Sequence, residues 1–477
     1  MKVLKRIGLG IVSLLVIIVI VLVAAVLIDG KRTNYLLVRN QPKSALNSYL
    51  ITNVNIIPMT ADTVLQNQRI KIIDGIIHSI GPNIEADGLE VFDGKGAYIS
   101  PGLIDMHVHV WDNYELGLYL ANGITTVRNV WGQPMHLRMK KEVASGEMIA
   151  PLFFTSGPKL TGPDYYGNDN LQLYDTDEAK AKITEYKQRG YDFIKTYNGL
   201  TEDLFTAILE QCRKEGLDIV AHPSAEVPYA FHFDPQIKSI EHVEDVVQQP
   251  LAYQLDTAKL DEVIALYTSH PNAALCPTAV VYYNIYRLLT EGNVLENGEL
   301  DYINPLIRRL DSKAQYERWQ RTKAANSGIE TAIKKQHDFH LYILQKLHEN
   351  GVTLLCGTDA GIGVTPPGIS IHQELSFYTQ AGLSNYEALK TATVNPTAIH
   401  EFLANMGTIE PGKLANFIVT STNPLVNLGT LKDPQTVFIN GRKLDQQTLD
   451  DFTKRAKNRK NEIVSLLRYA EYLLVER

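Results

Sequence analysis

PGLIDMHVH, residues 101–109, frames everything else in the chain. Leu103, Ile104 and Met106 make a short apolar run of the kind that forms a buried strand, and it ends in two histidines separated by one valine. Residues two apart in a strand point to the same side, so His107 and His109 bring two imidazoles to one spot. Imidazole suits zinc and its first-row neighbours, and two such ligands on rigid backbone leave positions for groups from elsewhere. A pair of hydrogen-bonded strand-end histidines would read the same way, so the rest of the chain must decide.

Outward from this stretch, residues 101–404 alternate strand-like and helix-like runs, the pattern of a parallel sheet with covering helices. The apolar strand candidates are 102–107, 125–130, 152–156, 192–195, 218–221, 239–241, 274–277 and 353–356. Eight such units over about 300 residues fit a (β/α)8 TIM barrel. The long interval before the last strand holds helix-like sequence at 301–346, read either as a lid over the barrel mouth or as a plain helical insertion. Residues 45–100 and 405–445 have the texture of short strands and turns, with Asp74-Gly75 as a hairpin signal. They are read as a small composite β-sandwich assembled from both flanks of the barrel. Residues 446–477 read as one amphipathic helix, for packing or for a membrane surface.

Residues 1–35 form a segment apart. Between Ile7 and Ile28 lie 22 residues without a charge, preceded by Lys2, Lys5 and Arg6. As a helix this run is about 33 Å long, enough to cross the hydrocarbon layer. The apolar part of a cleaved signal is usually about 7 to 15 residues, so an uncleaved single-pass signal anchor is favoured over secretion after cleavage. The basic N-terminus places the body outside the cytoplasm, periplasmic or extracellular, although Lys31 and Arg32 blunt the asymmetry. Elsewhere the composition is that of a globular protein, 45% hydrophobic and 21% charged. The net charge of -7 gives no basic face for nucleic acid. The three cysteines, Cys212, Cys276 and Cys356, are too far apart for a zinc ribbon and odd in number for a disulfide framework. A homo-oligomer is compatible with all of this.

In barrels of this kind the reacting groups sit where strands end. Strand one ends in His107 and His109, strand four in Lys195, strand five in His222, strand six in His242 and strand eight in Asp359. Each alone has an innocent explanation, such as an ion pair, a loop hydrogen bond or a helix cap. Together on one rim they do not.

With SPGLIDMHVH, GITTVRN, FIKTYNGL, SIEHVED, GTDAG, ALKTATVNPT and EPGKLANFIV before NPLVN, residues 49–444 resemble the amidohydrolase superfamily, in its imidazolonepropionase-like and Xaa-Pro dipeptidase (prolidase-like) branch. Asn129 stands where such sequences often have Asp, and AHPS around His222 replaces a more usual GHVP. The resemblance implies two divalent metal ions, zinc first and manganese, cobalt or iron as alternatives. His107, His109 and Asp359 would hold one and His222 and His242 the other. Lys195 would bridge them as an N6-carboxylated carbamate, since an ammonium has no lone pair for a metal. It further implies a metal-dependent hydrolase that cleaves the C–N bond of a small substrate through a metal-bridging hydroxide, with Asp359 moving the proton and His242 assisting. A prolidase-like dipeptide or an N-acyl amino acid is the expected substrate. A lactone or ester hydrolase, or a non-catalytic membrane-tethered binding protein, are the alternatives. Tyr165, Tyr166, Tyr197, Tyr282 and His372 fall in or near loops after strands and are the candidate substrate contacts.

Overall fold

The computed structural model describes residues 2–40, 47–167 and 169–477. Residues 45 and 46, where the flanking β unit was expected to begin, lie outside the described residues, as does Met1. The chain starts with a helix, Lys2–Thr33, long and apolar enough to cross a membrane or to serve as a signal sequence. Its apolar side chains from Ile7 to Ile28 are exposed, apart from the half-buried Leu22, Ala24 and Ala25.

Strands β1 (Tyr49–Ile56), β2 (Leu65–Ile73), β3 (Ile76–Gly81), β4 (Glu90–Asp93) and β5 (Tyr98–Pro101) precede the barrel. Asp74 and Gly75, both at positive φ (49° and 78°), make the two-residue turn between β2 and β3. A turn of this hand matches the twist of the strands it joins.

The barrel strands follow: β6 (Leu103–Val108), β7 (Ile124–Asn129), β8 (Leu152–Thr155), β9 (Lys159–Thr161), β10 (Asn170–Gln172), β11 (Phe193–Thr196), β12 (Asp218–Ala221), β13 (Ile237–Glu241), β14 (Ala274–Cys276) and β15 (Thr353–Leu354). Of these, β6, β7, β8, β11, β12, β13, β14 and β15 fall within the eight predicted segments or a residue or two beyond them. The short β9 and β10 are additions in the loop after β8. Pairing is parallel from β6 to β8 and from β11 to β15. Bridges Ser156–Phe193 and Val108–Ala360, also parallel, join the two runs at their edges, giving a TIM-barrel-like closed sheet. Strands β6, β7 and β11 are buried along their whole length, as expected for parallel strands covered on both faces.

Beyond the barrel come β16 (Phe417–Thr420), β17 (Thr436–Ile439) and β18 (Arg442–Asp445). They do not make a layer of their own. β16 runs antiparallel to β5, with Phe417 opposite Pro101, so both flanks enter one sheet of order β18-β17-β16-β5-β1-β2-β3, with β4 on β1. Hydrogen bonding therefore joins both flanks of the barrel in one composite β unit. Tyr49, Val54, Ile56, Ile70, Ile72, Ile99, Phe417 and Phe438 fill its buried face. Residues 407–409 lie outside the strands, and the Ile409 N–H donates to the Pro58 carbonyl (3.0 Å).

The C-terminal expectation is revised. The segment 446–477 is two helices, Gln446–Lys457 and Glu462–Val475. Between them Arg459 turns inward to Asp112 (3.3 Å) and Glu115 (3.2 Å), all three buried, and Asn461 donates to Asp112 (2.8 Å). A buried pair of this kind holds only where its partners are close, which fixes the break. The interval before β15 holds helices Lys313–Ala325 and Ile329–Glu349. Just ahead of the first, Asp311 accepts from the Gly363 N–H (2.6 Å) and Ser312 donates to the Gly363 carbonyl, so the insertion rests on the loop that follows β15.

Candidate metal centre

The loop after β15 is stitched to β6. Met106 N–H donates to the Cys356 carbonyl (2.8 Å), Asp359 N–H to the His107 carbonyl (2.7 Å), and His109 N–H to the Ala360 carbonyl (2.8 Å). Asp105 accepts from the Thr358 hydroxyl (2.7 Å) and the Thr358 N–H (3.1 Å). The contact leaves no room for side chains at two positions. A Cβ on Gly357 would lie 2.3 Å from Cys276 Sγ, and one on Gly361 would lie 1.9 Å from the His109 carbonyl oxygen. This close approach carries Asp359, itself in the left-handed region at φ 54°, to the two imidazoles. Its Oδ1 is 2.6 Å from His109 Nε2 and 3.2 Å from His107 Nε2.

The other rim residues arrive from β11, β12 and β13. His107 and His242 have ring centroids 4.8 Å apart, His242 and His222 5.0 Å, and His107 and His109 5.6 Å. Ligand atoms of His107, His242 and Asp359 all lie within 4.8 Å of one another, and so do those of His222, His242 and Asp245. His242 thus belongs to two overlapping groups. Its backbone is at φ 69°, and Thr278, its partner on the loop after β14, is at φ 47°. Such conformations cost about 1–3 kcal/mol each and persist where the surroundings over-determine them.

Lys195 is buried on β11, and its Nζ has no hydrogen-bond partner among the described residues. Burial depresses its ammonium, offset in part by Glu241, to about 8. Burial likewise holds His222 and His242 well below the usual histidine range, so they are neutral bases. For Asp359, burial acts upward, but His107 and His109 outweigh it and hold the carboxyl well below the usual carboxylate range. Neutral imidazoles and an ionised carboxylate are the protonation states a metal requires.

Residues the sequence reading passed over set the orientation of these groups. His107 Nδ1 pairs with Glu241 Oε2 (2.5 Å), and His242 Nδ1 with Thr278 Oγ1 (2.8 Å), which leaves Nε2 of each free to face the site. Glu241 is held in turn by Arg128 Nη2 (2.9 Å), whose Nε donates to the Met106 carbonyl (2.6 Å). Asp245 Oδ2 lies 3.4 Å from His222 Nδ1. Lys159, on β9, pairs with Asp169 and sits 4.5 Å from the centre of the Tyr197 ring. Two of these had a signal in the sequence: Arg128 and Glu241 are charges near the ends of predicted barrel strands, ITTVRN and IKSIE. The others are recognisable only from their partners.

Of the candidate substrate contacts, Tyr197 stacks near His222 (4.2 Å between centroids) and Tyr165 meets Tyr197 edge-on (5.6 Å). Tyr282 packs on His340 (4.6 Å). Two do not join the cluster. Tyr166 is exposed, beside Arg477, and His372 lines a separate cavity of about 650 Å³ with Asn122, Tyr283 and Arg287. For His372 the position in sequence did not translate into proximity, because the helix Ser370–Gln380 carries it into the other cavity.

In this parallel barrel, imidazoles, a lysine and a carboxylate gather at the ends of the strands. Residues 322–444 match the amidohydrolase family. A dihydroorotase of Bacillus pumilus is 46% identical over 63 residues, 13% of this chain, and the match spans only 14% of that protein. Among solved structures, bottromycin amidohydrolase superposes with a TM-score of 0.71 at 21% identity, covering 91% of this chain and 97% of its own. A Xaa-Pro dipeptidase with methionine bound in its active site superposes with a TM-score of 0.64 at 19% identity, covering 83% and 99%. The match to the amidohydrolase family thus covers residues 322–444, and the fold of the chain is shared with prolidase-like amidohydrolases.

Proposed function

We propose that this chain is a metal-dependent amidohydrolase that cleaves the C–N bond of a small substrate, a prolidase-like dipeptide or an N-acyl amino acid. The observation that carries the reading is the convergence of His107, His242 and Asp359 ligand atoms within 4.8 Å, beside a buried lysine amine without a partner. The donor set fits two divalent ions, zinc first. His109 Nδ1, Lys195 Nζ, His222 Nδ1 and Asp245 Oδ2 are buried polar atoms without hydrogen bonds among the described residues, and burying such atoms unpaired is costly. His107, His109 and Asp359 would hold one ion and His222 and His242 the other, with Asp245 beside the second.

Bound there, the ions would supply a water ionised near neutral pH and polarise the scissile carbonyl. Asp359, kept ionised by His107 and His109, accepts the proton of the attacking water on Oδ1 and returns it to the leaving amine. His242, its Nδ1 fixed by Thr278, would assist through the ion that its Nε2 holds. Lys195 joins the two halves of the site as a carbamate: its neutral amine adds to carbon dioxide, an N–C bond forms and one proton is released. Tyr165 and Tyr197 form one wall for the substrate and Tyr282 lies further out.

In this reading residues 101–404 are the hydrolase barrel, 45–100 and 405–445 a composite β unit, and 1–35 a single-pass anchor with the body outside the cytoplasm. The test is a panel of X-Pro dipeptides, N-acyl amino acids and lactones, assayed with full-length protein stripped of metal and then reloaded with zinc or manganese. Metal-dependent release of an amino acid supports the proposal. Turnover of lactones alone would replace it with an ester hydrolase, and absence of bound metal in the native protein would remove the mechanism.

A further inference from the structure

The helix Glu462–Val475 is apolar on two opposite faces, one buried and the other largely exposed among the described residues. Val464, Ser465 and Tyr472 are buried against the barrel. Tyr472 meets Trp131 edge-on (5.7 Å), and Trp131 lies 6.5 Å from the His109 ring, so two aromatic rings separate this helix from the metal centre. Ile463, Leu466, Leu467, Ala470, Leu473 and Leu474 occupy the other face at helical spacing. Ile463 is 47% exposed, Leu466 54% and Leu474 85%. The stripe carries no charge, because the charged residues of the helix turn elsewhere. Arg468 goes to Asp29 (3.2 Å), Glu471 takes a two-pronged contact from Arg138 (2.8 and 2.7 Å), and Glu462 meets Arg309 (3.1 Å).

The Arg468 contact says what covers the stripe. Asp29 is the first charged residue after the uncharged run from Ile7 to Ile28, so it marks the level at which the chain leaves the hydrocarbon. Pairing it with Arg468 pins the middle of the C-terminal helix to that level. At the far end of the helix, Arg477 holds the Gly167 and Asn170 carbonyls, and beside it stands Tyr166, 71% exposed. An exposed tyrosine next to an arginine is the usual furniture of a membrane interface. A second copy of the chain is the rival occupant. The helix is about 21 Å long and its stripe about 10 Å wide, so roughly 200 Å² is on offer where a stable dimer buries about 800 Å² per partner.

We infer that the helix Glu462–Val475 is an interfacial helix, its Ile463–Leu466–Leu474 stripe lying in the headgroup region of the bilayer that the N-terminal helix spans. The mouth of the barrel is thereby held at the lipid surface. The inference rests on reading Lys2–Thr33 as a membrane span.

The test uses full-length protein in phosphatidylcholine–phosphatidylglycerol vesicles, with an environment-sensitive fluorophore on Leu474→Cys or Leu466→Cys. Glu349→Cys is the control, since Glu349 is exposed at the end of a helix that enters β15 from the opposite end of the barrel. The native cysteines are buried, and the labelled positions are exposed, so folding is not at stake. Iodide should quench the labels at 466 and 474 about fivefold less than the label at 349, and a lipid-borne quencher should do the reverse. Equal iodide access at 474 and 349 in chains that float with the vesicles overturns the interfacial helix and leaves the span intact. Chains that do not float at all overturn both. Protection that persists in detergent, rises with protein concentration and accompanies crosslinking of Leu466→Cys between copies assigns the stripe to a dimer and overturns the inference.

Discussion

Asp359 and Lys195 are the two residues at which the proposed chemistry can be separated from folding. An Asp359→Asn side chain keeps the size of the carboxylate and one acceptor oxygen, but it cannot take up a proton at neutral pH. Turnover should fall by about 10²–10⁴-fold, while circular dichroism and most of the bound metal are retained; a variant with near-native kcat would remove Asp359 from the proton path. Lys195 bears on the number of ions. Its amine is buried without a partner, which a purely structural lysine has no reason to be. Lys195→Ala should lower metal content, measured by elemental analysis, below the value of the native chain. Loading of two ions in both proteins would rule out a bridging role.

At the scale of single elements, the ends of strands are held by buried polar chains as well as by packing. On the inner side of β7, Arg128 reaches Glu241, the Ser239 hydroxyl (3.0 Å) and His400 Nε2 (3.0 Å), and His400 Nδ1 faces Asp218 (2.7 Å) at the start of β12. Because Nε2 accepts from Arg128, His400 is the neutral tautomer with its proton on Nδ1. Burial, only partly countered by Asp218, depresses its pKa from 6.5 to about 4. Between those values the unfolded chain binds the proton and the folded one does not, so this group's stabilisation is present above about pH 6.5 and lost as pH falls towards 4. The stability difference between native protein and His400→Gln, from denaturant midpoints, should therefore shrink on acidification, by at most on the order of 3 kcal/mol. A difference independent of pH from 7 to 4 would show that His400 is not buried neutral. β6 and β15 illustrate a second kind of constraint. Gly357 and Gly361 let two backbones approach more closely than any side chain permits, and Asp359 lies between them.

For the whole molecule, closure of the barrel makes the site and the fold one problem. Residues from β6, β11, β12, β13 and the loop after β15 meet in one buried cluster, with His222 and His242 neutral and Asp359 ionised, ready for a cation. Any ion bound only by the folded state stabilises it by mass action. Treatment with a chelator should thus lower the thermal midpoint by several degrees, and zinc or manganese should restore it, with activity returning in parallel. An unchanged midpoint in protein shown to have lost its metal would mean that the cluster is held by its own hydrogen bonds.

Local pattern was enough for the parallel barrel. Eight apolar runs, helical stretches between them and the HxH of β6 are features a few residues long, set by the period of strand and helix, and they were legible without neighbours. The charges at strand ends were equally plain, since polar residues closing an apolar run have few structural reasons to recur. What only the tertiary structure decided depends on residues far apart in sequence. Phe417 pairs with Pro101, so one sheet forms across the flanks; Arg459 buries itself against Asp112 and Glu115, so the final segment becomes two helices. Glu241, Thr278 and Arg128 acquire meaning only from the imidazoles they orient, and His372 loses its place at the site because its helix faces another cavity. A side chain's periodicity is written in its own segment, but its partner is chosen by where the whole chain places both.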